Sequence, residues 1–287
     1  MMTTIRYFSM FSGIGGFEYG IEKAETQTQF ECVGYSEIDD YAVKIYERHY
    51  PEQINYGDAT RINTKDLPSF EFLVGGFPCQ AFSLAGKRKG FEDTRGTLFF
   101  EIARVLRDKK PARFLLENVK GLLSHDRGRT VQTIFRVCDE LGYDVSWKVY
   151  NSKDYGVPQN RERIFIKGYF REKCGPEILS VRRKDYEDNE IDNRKLHRIN
   201  NTSQVNSVYG VDGLSPCLDT WGELKIDDGN SIRKATPVEC ERLQGFPDDW
   251  TKYGKDNELI SNTQRYKCCG NAVTTNVVKE IIEEMFP

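Results

Sequence analysis

The chain has 287 residues, 38% of them hydrophobic and 30% charged, with 41 Lys and Arg against 44 Asp and Glu. At about 150 residues per domain, this length allows one large domain or two modest ones, with enough core to fold without disulfides. A net charge of −3 with 12% aromatic residues excludes a disordered acidic or basic tail protein but leaves room for a local basic face.

Taken in chain order, residues 5–10 predict a strand, then a Gly-rich turn and a short helix with Phe17, Ile21 and Ala24 on one face. Residues 30–35 predict a second strand, and Tyr41 and Ile45 mark a helix ending before Pro51. Residues 70–74 predict a strand running into Gly75 and Gly76. Helical spacing recurs at Leu98, Ile102, Val105 and Leu106, and again at Val131, Ile134, Phe135, Cys138 and Leu141. Short strands are expected at 114–116, across Val145, Trp147 and Val149, and across Ile164 and Ile166. This alternation predicts an α/β fold with a mostly parallel sheet covered by helices.

The pattern breaks after Gly168. Residues 170–233 are polar, lack clear periodicity and are punctuated by Gly210, Gly213, Pro216, Gly222 and Gly229, as expected of a smaller, irregular region. Order returns at Thr236, Pro237, Val238 and Glu239, a capping box with Pro at the first helical position. Leu243 should end that helix, with Gly245 as its cap. A last helix is expected over 272–285, with Val273, Val277, Ile281 and Met285 on one face.

Residues 1–10 have no long apolar run, so no signal peptide is expected. No stretch of about 18 apolar residues is present, which argues against a membrane-spanning helix. Eight cysteines without a CxxC pair predict neither a structural zinc site nor any other metal, and suit a reducing, cytoplasmic setting.

Three stretches carry chemistry. The first is Phe11, Ser12, Gly13, Ile14, Gly15 and Gly16, between a strand and a helix, where glycines let backbone approach a ligand. Glu37 lies about 20 residues on, at the end of the second strand, placed to accept a ribose hydroxyl. Asp58, after Gly57, is expected at the end of a further strand on the same sheet edge. The missing GxGxxG register argues against a dinucleotide and fits a nucleoside cofactor without pyrophosphate; a plain Gly-rich turn is the bland alternative.

The second stretch is Gly75, Gly76, Phe77, Pro78, Cys79 and Gln80. A Cys after a strand and a Pro is presented at the carboxyl edge of the sheet, where open α/β folds bind ligands; most cysteines are instead buried and inert. The third pairs Glu117 and Asn118, after a strand, with Gln159, Asn160, Arg161, Glu162 and Arg163 before one. Arginines two apart point to one side of an extended chain, and a charged strand entrance is the ordinary alternative.

Together these stretches resemble the DNA cytosine carbon-5 methyltransferase family. The resemblance rests on FSGIGGF, SEID from Ser36, Gly57-Asp58, GGFPCQAFS, ENV, QNRER and CGNAV from Cys269, in the family's order over most of the chain. Ser12 stands where many members have Ala, and the region between Gly168 and Thr236, the family's target-recognition domain, is short.

The resemblance implies a Rossmann-like S-adenosylmethionine-dependent methyltransferase fold. Residues 1–169 plus 264–287 would form the catalytic and cofactor-binding domain, and 170–263 a small irregular target-recognition domain and hinge. It implies S-adenosylmethionine as methyl donor, S-adenosylhomocysteine as product and no metal. Cofactor contacts would come from Phe11, Ser12, Gly13, Ile14, Gly15, Gly16, Glu37, Ile38, Asp58, Ala59, Pro78, Leu98, Asn271 and Ala272.

It also implies a mechanism. A Cys79 thiolate adds to carbon 6 of cytosine and makes carbon 5 nucleophilic. Glu117 protonates or hydrogen-bonds ring nitrogen 3, Arg163 holds the base carbonyl, and Arg161 orients Glu117 or the loop. The target base must leave the duplex. Gln80, Ser83, Lys87, Arg88, Lys89 and Arg95 would contact DNA around the site, and Gln204, Asn206, Thr220 and Trp221, within residues 202–229, would read neighbouring bases. The expected partners are double-stranded DNA and, in a restriction-modification system, a cognate endonuclease; no membrane is involved and the chain is expected to be a monomer. The alternatives are a tRNA cytosine-5 methyltransferase and a non-catalytic DNA-binding relative, the second disfavoured by intact Cys79, Glu117 and Arg163.

Overall fold

Four strands run side by side in one direction: β2 (Gln29–Ser36), β1 (Thr4–Met10), β3 (Phe72–Gly76) and β4 (Arg113–Val119). The sheet continues through β7 (Glu162–Phe170), antiparallel to both neighbours, to the edge strand β5 (Tyr143–Asn151). The computed structural model describes residues 3–78, 98–174, 208–210, 214–218, 220, 224–227 and 232–287.

Both faces of the sheet's centre are covered, which is why β3 and the start of β4 read as apolar runs. Successive side chains point to opposite faces. Phe8, Leu73, Phe114, Leu116, Ile164 and Ile166 enter one core, with α3 (Leu98–Lys109) and α4 (Arg129–Glu140). Tyr7, Phe72, Val74, Leu115 and Phe165 enter the other, against α1 (Gly16–Glu22) and α8 (Thr275–Met285). Gly20 brings α1 close to α8: a Cβ there would lie 2.5 Å from Val278 Cβ.

A third cluster joins the glycine loop to the last third of the chain. Ile14 packs with Ala42 and Ile45 of α2 (Asp40–His49), with Phe246, Trp250 and Ile260, and with Cys268 of α7 (Asn262–Asn271). Asp39 caps α2 by accepting from the Tyr41 and Ala42 amides. The capping box at Thr236 forms as expected at the start of α6 (Pro237–Leu243): the Thr236 amide donates to Glu239 Oε2 at 2.6 Å and the Glu239 amide to Thr236 Oγ1 at 3.2 Å. Gly245 follows with φ +79°, the left-handed conformation expected of a helix stop.

The remaining elements are short. After β7 comes α5 (Arg171–Cys174). Strand β6 (Gln159–Asn160) pairs in parallel with β9 (Ser215–Pro216). Three further strands, β8 (Val208–Gly210), β10 (Lys225–Asp227) and β11 (Ile232–Lys234), make a small sheet.

Three local expectations differ from what forms. The expected helix over 272–285 starts only at Thr275, because Ala272 is extended (φ −66°, ψ 150°) and a separate helix, α7, precedes it. Asn271 therefore ends α7 rather than opening the last helix. The strand expected at 70–74 lies two residues later, so Gly75 and Gly76 belong to β3. No full strand precedes Asp58: Asn55 makes a single bridge with Tyr35, and Asp58 caps a 3-10 turn at Ala59–Arg61.

Candidate active site

The carboxyl ends of β1, β2, β3 and β4 open onto one cavity of about 430 Å³. Its walls combine residues that are far apart in the chain, as expected at the carboxyl edge of an open α/β sheet. At one end the chain turns sharply after β1, with positive φ at Phe11 (+55°), Gly13 (+56°) and Gly15 (+86°). A left-handed non-glycine residue costs about 1–3 kcal/mol and persists only where its surroundings impose it; Phe11 is held against the main core. A Cβ built on Gly13 meets nothing within 4 Å, so this backbone stands open to the cavity.

Glu37 ties that turn to the end of β2. Its Oε2 accepts from the Gly13 amide at 2.9 Å, and its Oε1 from the Ile38 and Asp39 amides at 2.8 and 2.9 Å. Ile38, 71% exposed, offers an apolar ledge on the cavity wall. Asp58 holds the opposite lip: its Oδ1 accepts from the Thr60 amide and hydroxyl, which keeps its carboxyl below the usual range.

The other end is polar and buried. Glu117, near the end of β4, pairs with Arg163 of β7, Oε1 to Nε at 3.1 Å. Burial pushes the Glu117 carboxyl up, and the guanidiniums of Arg163 and Arg161 only partly oppose this. Its Oε2 sits over Gly76, where a Cβ would lie 3.2 Å away. Arg161 is buried; its Nη2 donates to the Gly270 and Ala272 carbonyls at 3.1 and 2.8 Å, satisfying the end of α7. It makes no direct hydrogen bond to Glu117. Asn118 reaches the turn just after β3, its Nδ2 donating to the Phe77 carbonyl at 2.8 Å. That bond fixes the two residues ahead of Cys79.

Of the residues expected from sequence, Phe11, Gly13, Ile14, Glu37, Ile38, Asp58, Ala59, Pro78, Leu98, Asn271, Glu117, Arg161 and Arg163 line this one cavity. Four others stand behind the wall. Ser12 is buried, Gly15 caps α1 beneath Tyr50, Gly16 packs against Val273, and Ala272 gives its carbonyl to Arg161. Thr220 is half-buried. Cys79, Gln80, Ser83, Lys87, Arg88, Lys89, Arg95, Gln204, Asn206 and Trp221 lie outside the described residues.

The profile of the C-5 cytosine-specific DNA methylase family matches residues 5–212 and 178–287. The chain belongs to that family. It is 40% identical over 313 residues to the Type II methyltransferase M.SsoII of Shigella sonnei, covering 98% of this chain and 79% of that one. It is 35% identical over 317 residues to the Type II methyltransferase M.HhaI of Haemophilus parahaemolyticus, covering 98% and 94%. Among solved structures, the Entamoeba histolytica methyltransferase EhMeth superposes with a TM-score of 0.74 over 99% of this chain and 98% of that one, at 17% identity. That likeness bears on fold alone, and it fits the open sheet with β7 reversed. Among the described residues, no helix is long and apolar enough to cross a membrane.

Several wall residues were given no role in the sequence reading: Ser36, Asp39, Ala42, Lys267, Cys268 and Gly270. Ser36 and Asp39 belong to the SEID stretch, so motif adjacency could have found them. Lys267 and Cys268 carry no such signal, because α7 has no apolar stripe. Lys267 Nζ reaches Asp39 Oδ2 at 2.5 Å across 228 residues of chain.

Proposed function

We propose that this methyltransferase transfers a methyl group from S-adenosylmethionine to carbon 5 of a cytosine flipped out of duplex DNA, through a covalent bond to Cys79. One observation carries the reading: the half-buried Glu117–Arg163 pair shares a cavity with Glu37 and with Gly76, Phe77 and Pro78, which lead directly into Cys79.

The cofactor end fits the donor. The Glu37 carboxylate already holds three backbone amides and retains lone pairs for ribose hydroxyls. Ile38 supplies an apolar face for a purine, Asp58 an acceptor for its amine, and the open backbone at Gly13 admits the amino-acid part. Bound there, S-adenosylmethionine supplies an electrophilic methyl group.

At the base end, Cys79 Sγ bonds to carbon 6, carbon 5 takes the methyl group, the carbon 5 proton passes to water, and the sulfur–carbon 6 bond breaks. Glu117, whose carboxyl is pushed up by burial, protonates or hydrogen-bonds ring nitrogen 3 as charge builds there. Arg163 faces the base carbonyl, and Arg161 holds the α7 end that forms part of the cofactor wall. A stacked base cannot reach this cavity, hence the flip.

We assign Gln80, Ser83, Lys87, Arg88, Lys89 and Arg95 to DNA contacts around the flipped base, and Gln204, Asn206, Thr220 and Trp221 to base reading. Residues 170–263 then form the recognition domain and hinge, and 1–169 plus 264–287 the catalytic domain. The setting is the cytoplasm of a prokaryotic or phage-infected cell, with the chain acting as a monomer. The Type II names of the relatives fit a restriction-modification system with a partner endonuclease.

The test is a denaturant-resistant adduct with 5-fluorocytosine duplex DNA and S-adenosylmethionine, since fluorine at carbon 5 blocks the elimination. The unaltered chain should form it and Cys79→Ser should not. An adduct that survives Cys79→Ser refutes the nucleophile, and methylation of tRNA in place of duplex DNA refutes the substrate.

A further inference from the structure

We propose that Cys217 is a positioning residue for methyl transfer: its sulfur holds the guanidiniums of Arg161 and Arg163 and so couples the recognition segment to Glu117. The inference rests on the active-site reading above and adds a residue from outside its motifs.

Cys217 follows β9, the two-residue strand laid alongside β6, immediately before the two arginines. Backbone bonds fix the segment independently of the thiol. The Ser215 amide donates to the Pro158 carbonyl at 2.7 Å, and the Leu218 amide to Gln159 Oε1 at 3.4 Å. Gln159 is fully buried, and its Nε2 is committed to the Leu243 carbonyl at 2.9 Å.

The sulfur then makes three contacts. It accepts from Arg161 Nη1 at 3.1 Å and from Arg163 Nη2 at 3.5 Å, and the thiol donates to the Leu218 carbonyl at 3.6 Å. A neutral thiol has one weak donor and a weak acceptor, so this set employs both.

The consequence falls on Arg163. Its Nε faces Glu117 Oε1 at 3.1 Å and its Nη1 donates to the Glu162 carbonyl at 2.9 Å. The contact from Nη2 to Cys217 anchors the remaining corner of the planar fork. With that corner released, the guanidinium can turn about its stem, and Glu117 loses a fixed partner. Arg161 extends the same coupling to the Gly270 and Ala272 carbonyls on either side of Asn271. One sulfur from the recognition region thus touches both arginines of the cleft.

The experiment is steady-state methylation of duplex DNA by the full chain, comparing the unaltered enzyme with Cys217→Ala and Cys217→Ser, with melting temperatures alongside. Misplaced catalytic groups lower turnover steeply, so Cys217→Ala should lose about tenfold in kcat while KM for S-adenosylmethionine and the melting temperature stay unchanged. Cys217→Ser, whose oxygen still accepts from both guanidiniums, should recover most of the loss. The proposal is overturned if Cys217→Ala keeps the unaltered kcat, if Ser is as slow as Ala, or if the loss tracks a falling melting temperature. No methyl transfer by the unaltered chain would overturn the active-site reading and this inference together, whereas normal transfer by Cys217→Ala would overturn this inference alone.

Discussion

Replacing Glu37 with Gln tests the proposed cofactor end of the cleft with almost no change in shape. The carboxylate receives three amides, from Gly13 on one oxygen and from Ile38 and Asp39 on the other. A carboxamide offers only one accepting oxygen. With that oxygen turned to Ile38 and Asp39, the NH2 group confronts the Gly13 amide, donor against donor. One hydrogen bond to a charged group is lost, worth about 1.5–3 kcal/mol, and Gly13 is released from β2. The same substitution removes the negative charge that would receive the ribose. At about 1.4 kcal/mol per tenfold, affinity for S-adenosylhomocysteine should fall by roughly 10- to 150-fold. Calorimetry on the purified full chain measures this, with circular dichroism to confirm the fold. A folded Glu37→Gln variant that binds within twofold of the unaltered chain would show that Glu37 does not hold the cofactor loop.

Three other outcomes follow from the geometry. Burial pushes the Glu18 carboxyl from 4.5 up to about 7, with its Oε1 accepting from Tyr46 Oη at 3.1 Å. A raised carboxyl pKa contributes stability at low pH that is lost as pH rises from about 4.5 toward 7, here ~3 kcal/mol at 1.36 kcal/mol per unit. Glu18→Gln cannot ionise, so urea unfolding at pH 5 and pH 8 should show the unaltered chain losing ground against the variant as pH rises; a constant difference refutes this. Gly20→Ala should lower the melting temperature, since its Cβ would lie 2.5 Å from Val278 Cβ and 3.0 Å from the Thr275 carbonyl. Overpacking of this kind costs about 1–3 kcal/mol, and an unchanged melting temperature would contradict the tight α1–α8 contact. Exchanging residues 202–229 for the matching segment of a relative should change which cytosines bisulfite sequencing reports as methylated, while cofactor affinity stays constant. An unchanged site would move base reading elsewhere.

Much of the cleft is legible in the sequence because its parts are local. A strand, a turn that needs left-handed backbone, and a carboxylate at the next strand end all leave short-range patterns, which is why Gly13, Glu37 and Glu117 can be picked out residue by residue. The capping box at Thr236 is legible for the same reason: its two reciprocal bonds span three residues.

Helix α7 left no such trace. Its sequence, NTQRYKCCGN, has no continuous apolar stripe. What holds it is tertiary: Arg265 Nη2 meets the fully buried Glu241 Oε1 at 2.9 Å, and Cys268 and Cys269 are buried under separate clusters. The break after it, read from sequence as the start of the last helix, coincides with Arg161 taking the Gly270 and Ala272 carbonyls from more than a hundred residues away.

Sequence alone therefore determined the α/β alternation, through local periodicity, and the family, through the resemblance of its motifs to those of known members. Only the tertiary structure decided that Lys267 closes on Asp39 and that Cys217 meets both arginines. Those contacts are set by which distant segments the two buried faces of the sheet bring to its carboxyl edge, and no pattern along the chain encodes a meeting of that kind.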